Sequence, residues 1–300
     1  MSPSDSNITI STGTTISLSA DNGEPIVVTR RAPESADPRG AVIICPAIAT
    51  PARFYDAVAT WLASRGFLVY NFDYQGYGAS ARTALKDVTA DYFTWAADAA
   101  TVVDAVKDDL AELGHGTLPL TWLGHSLGSQ YLGFTDTTKL DKAVITCGGT
   151  GWWQNSDPPS RYFVPLLWWV IAPVLSRTLG YFPGKKLRIL GDIPGTVMLQ
   201  WANFCRHREY LWDVHPEHVQ TFADVTIPVT SITFSDDVIM SAKASEHLES
   251  YYTGTDLDAR RYSPEELDRR SVNHMGLFRR GREDLWERLI EPELATVETR

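Results

Sequence analysis

"TWLGHSLGSQ", residues 121–130, sets a serine between two glycines as Gly124-His125-Ser126-Leu127-Gly128. The pattern Gly-x-Ser-x-Gly is short, so its flanks decide what it means. "PLTWL" (119–123) reads as a strand and Ser126 to Phe134 as a helix. A serine on a strand-to-helix turn is the setting of a nucleophile elbow. The turn is sharp and forces the serine into a strained backbone conformation. Residues two positions away must then be tiny, because a Cβ there would meet the facing strand or helix. Gly124 and Gly128 meet that demand.

Working outward, the same strand–helix rhythm covers much of the chain. "TTISLSA" and "PIVVTRR" flank "DNGE" and read as a hairpin. "AVIIC" (41–45) is a short continuous apolar run, suited to a strand buried on both faces. "RFYDAVATWLASRG" (53–66) has helical spacing and ends at a glycine, and "FLVYNFD" (67–73) is the next strand. "DYFTWAADAATVVDAVKDDLAEL" (91–113) is a long amphipathic helix closed by Gly114, and "AVITC" (143–147) is another strand. Such alternation implies right-handed βαβ units, hence an α/β fold with a mostly parallel central sheet flanked by helices.

From Gly148 to about Asp224 the rhythm breaks. Six of the ten Trp fall there: Trp152, Trp153, Trp168, Trp169, Trp201 and Trp212. The segment carries seven Lys/Arg against six Asp/Glu, near +1, so the remainder of a chain at -10 carries about -11. Residues 1–147 and 225–300 are therefore read as the core and 148–224 as an inserted, mainly helical subdomain. The pattern resumes with "PVTSITF" (228–234), a helix from about Ser241 to Tyr252, "ARRYS" (259–263) and a last helix at "EDLWERLI" (283–290).

Composition narrows the possible partners. The chain has 300 residues, 44% of them hydrophobic and 21% charged, as expected of a soluble globular protein long enough for one large domain with an insertion or for two domains. An acidic chain argues against nucleic acid, whose phosphates want a basic face. The first twenty residues lack a basic n-region and an apolar run, so no signal peptide is expected. The longest apolar run, "VPLLWWVIAPVL" (164–175), is too short to span a bilayer and contains two Pro, and no amphipathic basic helix is evident. Cys45, Cys147 and Cys205 are sparse, odd in number and without metal-ligand spacing, which fits buried thiols in a reducing cytoplasm.

A serine hydroxyl needs a base, and the base an orienting carboxylate. With this elbow the chain order is Ser, acid, His. The acid candidates are Asp236 and Asp237, directly after "VTSITF". Asp237 is preferred because the next helix starts at a good N-cap, Ser241, four residues on. The other Asp is then a turn or capping residue. For the base, His274 in "SVNHMGLFRRG" lies past the last strand and before the last helix, whereas His247 sits inside a surface helix where solvation is expected. His125 can line the site but cannot serve as the base. His215 and His218 have the spacing of two ligands on one helical face, lack a third and are read as surface residues. For the oxyanion hole, one N–H comes from Leu127 and the other from "CPAIATPARFY". Pro46 has no N–H, Ile48 is the first choice and Ala47 the second.

Together these motifs resemble the α/β-hydrolase superfamily. Besides "GHSLGS", the stretch "NFDYQGYGAS" (71–80) resembles its Asp-x-Arg-Gly-x-Gly-x-Ser segment, with Gln75 where Arg is usual. "CPAIATPARFY" departs from the family's pattern, with Pro46-Ala47 where His-Gly is common. More narrowly, the chain resembles bacterial hydrolases labelled serine aminopeptidase-like or predicted esterases and lipases. They share a Trp-rich cap similar to "GTGWWQNSDPP" and "LGYFPGKKL", and a terminal signature like "NHMGLFRR". The likeness covers nearly the whole chain and is weakest over the first twenty residues.

The resemblance implies that 148–224 caps the catalytic edge, with its aromatics roofing the pocket or packing on one another. The expected substrate is a hydrophobic ester or thioester, cleaved through an acyl-enzyme without metal or organic cofactor. An aminopeptidase would need a carboxylate for the substrate amine; Glu209, Asp213 and Glu217 exist, but nothing singles one out, so an ester is expected over a peptide. Two rivals keep the same residues: acyl transfer to an acceptor other than water, and a non-catalytic binding protein on the same scaffold. A dehalogenase would carry Asp at the elbow, which Ser126 excludes.

Overall fold

The computed structural model describes residues 13–297. The expectation of no signal peptide rests mainly on residues outside that range. Eight strands form one sheet: β1 (Thr14–Ser19), β2 (Pro25–Arg31), β3 (Gly40–Cys45), β4 (Phe67–Asp73), β5 (Leu120–His125), β6 (Lys142–Thr146), β9 (Val229–Phe234) and β10 (Asp258–Tyr262). Their order across the sheet is β1-β2-β4-β3-β5-β6-β9-β10. β1 and β2 form the expected hairpin, and β2 runs antiparallel to β4. Every pairing from β4 to β10 is parallel. β7 (Tyr181–Phe182) and β8 (Ile193–Pro194) make a separate small antiparallel ribbon.

The pleat explains why the middle strands are continuous apolar runs. Ala41, Ile43 and Cys45 of β3 enter one core, and Val42 and Ile44 enter the other. β4 divides likewise, with Leu68, Tyr70 and Phe72 on one face and Phe67 and Val69 on the opposite face. Both faces are covered, so both registers must be apolar. α1 (Asp56–Ser64) and the C-terminal helical stretch with Trp286 and Leu289 close one side. α2 (Tyr92–Glu112) and α3 (Leu127–Tyr131) close the other. α2 begins where the Asp91 side chain accepts the Thr94 N–H at 2.8 Å. Its buried stripe runs Trp95, Ala99, Val102, Val106, Leu110.

The chain between β6 and β9 is mainly helical, and its apolar run differs from the sequence reading. The 164–175 run lies within one helix, α4 (Ser160–Leu179), of 20 residues. Pro165 and Pro173 do not end it, because a π turn at Leu167–Ile171 lies between them and relaxes the backbone spacing. Among the described residues α4 is the one helix long and apolar enough to cross a membrane, a length the run alone did not suggest. α5 (Gly195–Phe204) packs beside it, and α6 (Ala242–Glu249) follows β9 with Ser241 accepting the Ala244 N–H at 3.2 Å.

Candidate active site

β5 ends at His125 and α3 starts at Leu127, so Ser126 is the whole turn. Its backbone sits at φ 53°, ψ −107°, a sparsely allowed region for a residue with a side chain. Packing enforces this. A Cβ on Gly128 would collide with the Cys45 carbonyl of β3, and one on Gly124 would come within 2.5 Å of the Gly128 carbonyl. The Ser126 N–H donates to the Thr146 carbonyl at 2.9 Å, which ties the turn to β6. Ser126 and His274 both line one cavity of about 530 Å³ at the C-terminal edge of the sheet. They make no direct hydrogen bond, which is common before a substrate seats itself.

The two neighbouring aspartates have separate tasks. Asp237 Oδ2 lies 2.7 Å from His274 Nδ1, and its Oδ1 accepts the N–H groups of Ile239 at 2.8 Å and Met240 at 3.0 Å. Burial pushes the Asp237 carboxyl up, but the His274 hydrogen bond and charge and these backbone donors outweigh it and hold the pKa below the ordinary value. Asp236 turns the other way. Its oxygens accept from Ser271 Oγ (2.8 Å), the Val272 N–H (2.8 Å) and the Asn273 N–H (2.9 Å). It clamps the loop that carries His274.

His125 forms the wall behind this pair. The Ala47 N–H donates to the Tyr55 hydroxyl at 2.9 Å, and that hydroxyl lies 2.7 Å from His125 Nδ1. His125 Nε2 lies 2.8 Å from the His274 carbonyl, which can only accept. Nε2 therefore carries the proton and Nδ1 accepts from Tyr55. Burial, and then the charge of His274, lower the His125 pKa to about 3, so the ring is neutral. The chain of bonds also separates the two oxyanion candidates. The Ala47 N–H is engaged by Tyr55, whereas those of Ile48 and Leu127 have no partner among the described residues. Ile48 lines the cavity beside Ser126.

His125, Cys147 and His274 bring potential metal ligand atoms within 4.8 Å of one another. Both His125 nitrogens and His274 Nδ1 are already engaged. Burial raises the Cys147 thiol well above its usual range, away from the thiolate a metal requires. The trio does not fit an ion.

The remaining histidines are less exposed than their sequence context implied. His247 is not solvated: Nδ1 lies 2.8 Å from Thr150 Oγ1 and Nε2 3.2 Å from Glu209 Oε2, which also accepts from the Tyr251 hydroxyl at 2.9 Å. It is a tie between α6 and the chain after β6, and only the tertiary fold brings Glu209 to it. His215 and His218 are half-buried against Phe93, at 4.7 and 5.1 Å between ring centroids.

The cavity is apolar. Ile48, Phe54, Ile189, Leu190, Trp201, Ile239, Met240 and Met275 contribute to its wall, and Arg53 brings a formal charge. Among the described residues no Asp or Glu lines it; Glu209 and Asp213 are instead bonded to each other's surroundings, the Asp213 carboxylate accepting the Glu209 N–H at 2.9 Å. A second chamber of about 200 Å³ shares Ile189, Leu190, Trp201, Ile239 and Met240, and runs under α4 past Val164, Leu167 and Trp168. The tryptophans divide accordingly. Trp201 and Trp168 line the chambers and pack edge-on at 4.9 Å, Trp212 stacks on Tyr251, and Trp169 faces outward.

Sheet order, elbow and the position of the Asp–His pair after the last two parallel strands define an α/β-hydrolase. A family model described as serine aminopeptidase, S33, matches residues 36–188, just over half of the sequence. The chain belongs to that family. No curated protein matches it by sequence. Among solved structures it is similar to a soluble variant of monoglyceride lipase from Saccharomyces cerevisiae (TM-score 0.70, 14% identity, covering 98% of this chain and 99% of that one). It is also similar to a thermostable carboxyl esterase from Bacillus coagulans (0.58, 16%, 84% and 90%) and to Est1E from Butyrivibrio proteoclasticus (0.54, 14%, 93% and 96%). At these identities the likeness is one of fold.

Proposed function

We propose that the protein is a serine hydrolase that cleaves a carboxylic ester or thioester with a hydrophobic chain, and that residues 148–224 cap its site. The observation that carries this reading is one cavity wall. It holds a strained Ser126, the unpartnered N–H of Ile48 and His274, whose Nδ1 is bonded to Asp237. His274 takes the Ser126 proton as Oγ attacks the carbonyl carbon. The negative charge passes to the carbonyl oxygen, which rests on the Leu127 and Ile48 N–H groups. As the intermediate collapses, His274 returns the proton to the departing alcohol or thiol and an acyl-serine remains. Water gives its proton to His274, attacks the acyl carbon, and the acid leaves as Ser126 recovers its proton. Asp237 holds the tautomer and stabilises the imidazolium. This chemistry requires no metal or organic cofactor.

The lining supports an ester over a peptide. A free α-amine wants a carboxylate nearby, and the cavity lining contains none while carrying Arg53. Two neighbouring apolar chambers with five lining residues in common suit a hydrophobic chain near the scissile bond. Buried, unpaired Cys45, Cys147 and Cys205 support a cytoplasmic setting.

The test is intact-mass spectrometry after a serine-reactive fluorophosphonate, on wild type and Ser126→Ala. A single adduct on the wild type, absent from the folded mutant, is expected. No adduct on well-folded wild type would leave the binding-protein reading in its place.

A further inference from the structure

α4 is apolar on both sides. Its inner positions, Val164, Leu167, Trp168, Ala172, face the second chamber or the core. An ordinary surface helix would turn polar side chains outward. Here the outward positions Leu166, Trp169, Val170 and Val174 are apolar and 51, 47, 48 and 52% exposed. Only 28% of the helix's most apolar window is buried, far from the pattern of a core helix. Val238 and Ile239, directly after Asp237, are also exposed, and they line the same chamber as Phe163 and Val164 of α4.

The charge around this face runs against that of the protein. Residues 160–206 hold six basic side chains, Arg161, Arg177, Lys185, Lys186, Arg188 and Arg206, against one acid, Asp192, in a chain at -10. Arg206 lies 5.8 Å from the Trp169 ring and close enough to Arg177 for their charges to repel, and among the described residues neither has a carboxylate partner. An outward apolar stripe with Arg161 and Arg177 on the same helix and Arg206 against Trp169 matches an anionic bilayer, whose headgroups meet the cations while the acyl boundary takes the apolar side chains.

We propose that the outer face of α4, with the Val238–Ile239 loop, docks on the surface of an anionic lipid bilayer without crossing it. Docking sets the mouth of the second chamber against the lipid. If the hydrolase reading holds, on which this clause rests, a lipid-borne ester reaches Ser126 through that chamber without entering water.

The test is flotation of full-length Ser126→Ala protein with ether-linked vesicles, which it cannot consume. One set is phosphatidylcholine alone and the other is mixed with phosphatidylglycerol. Co-flotation with the anionic set is expected. A Leu166→Ser/Trp169→Ser/Val174→Ser variant should lose binding on the order of tenfold or more. Arg161→Gln and Arg177→Gln should each lose about fivefold, an effect that salt diminishes. In the active background the triple variant should keep wild-type turnover of a soluble short-chain ester. Failure to float with either vesicle set, or flotation unchanged by the triple variant, would overturn the proposal. So would a stable dimer that these substitutions dissolve and that ignores vesicles, since the face would then be an interface between copies. Flotation reads no catalysis and fluorophosphonate labelling reads no lipid, so either reading can fail alone.

Discussion

Gln75 gives Asp98 two hydrogen bonds, from its backbone N–H at 2.8 Å and from its side-chain Nε2 at 2.7 Å, and neither donor is charged. Among the described residues the buried Asp98 carboxylate has no cationic partner. Burial raises its pKa to about 6 despite those two donors. In the unfolded chain it titrates near 3.9, so between about pH 4 and about pH 6 the folded state holds a proton that the unfolded state has lost. Stability from this group is therefore greatest below that window and falls by roughly 3 kcal/mol as pH rises through it. Asp98→Asn should remove that slope, read from urea unfolding at about pH 4.5 and about pH 7. An unchanged slope would refute the assignment.

Asp236 and Asp237 are adjacent, yet their substitutions should separate. Asp237→Asn frees His274 to take the wrong tautomer, and kcat should drop by about three to four orders of magnitude with KM little changed. Asp236→Ala releases Ser271, Val272 and Asn273 instead. It should cost about tenfold in kcat/KM and measurably lower Tm. Steady-state kinetics with a soluble ester, beside a thermal melt, distinguishes them, and equal kinetic losses would contradict the division of labour.

Tyr55→Phe removes one oxygen that satisfies two buried groups, the Ala47 N–H and His125 Nδ1. Leaving them unpaired should destabilise the fold by roughly 2 kcal/mol. It should also loosen the loop that presents Ile48, so kcat should fall more than KM rises. Denaturant unfolding and kinetics on the same preparation check both parts.

Gly128→Ala sets a methyl group against the Cys45 carbonyl, a backbone atom of a central strand that cannot give way cheaply. We expect a loss of about 3 kcal/mol, or insoluble protein, from overpacking alone. A Gly23→Ala control, in a hairpin turn with open space around it but φ +82°, should cost less. A Tm for Gly128→Ala equal to wild type would show that the elbow tolerates slack.

The sheet and elbow were legible in the sequence because their signals are local. "AVIIC" and "FLVYNFD" need apolar residues in both registers, and Gly124 and Gly128 are forced by a turn that lies between them. The spacing from Asp237 to the Ser241 cap is local too, and in the structure Asp237 is the one of the two adjacent acids bonded to His274. His247 was misread because its partners, Thr150 and Glu209, lie about 97 and 38 residues away and no helical periodicity reports them. α4 was underestimated because two prolines look like stops, and the π turn that reconciles them leaves no mark in composition. Its outward face was legible residue by residue, but only the fold reveals which side has nothing packed on it.

His125, beside the nucleophile, stays neutral down to about pH 3 and is locked in one tautomer by Tyr55 and the His274 carbonyl. In a proton NMR titration its ring resonances should show no protonation step of their own above about pH 3. The site thus contains its own internal standard. An acid limb in the rate profile well above pH 3 can be read against a built-in histidine that does not titrate there, without a substitution that would disturb the wall it forms.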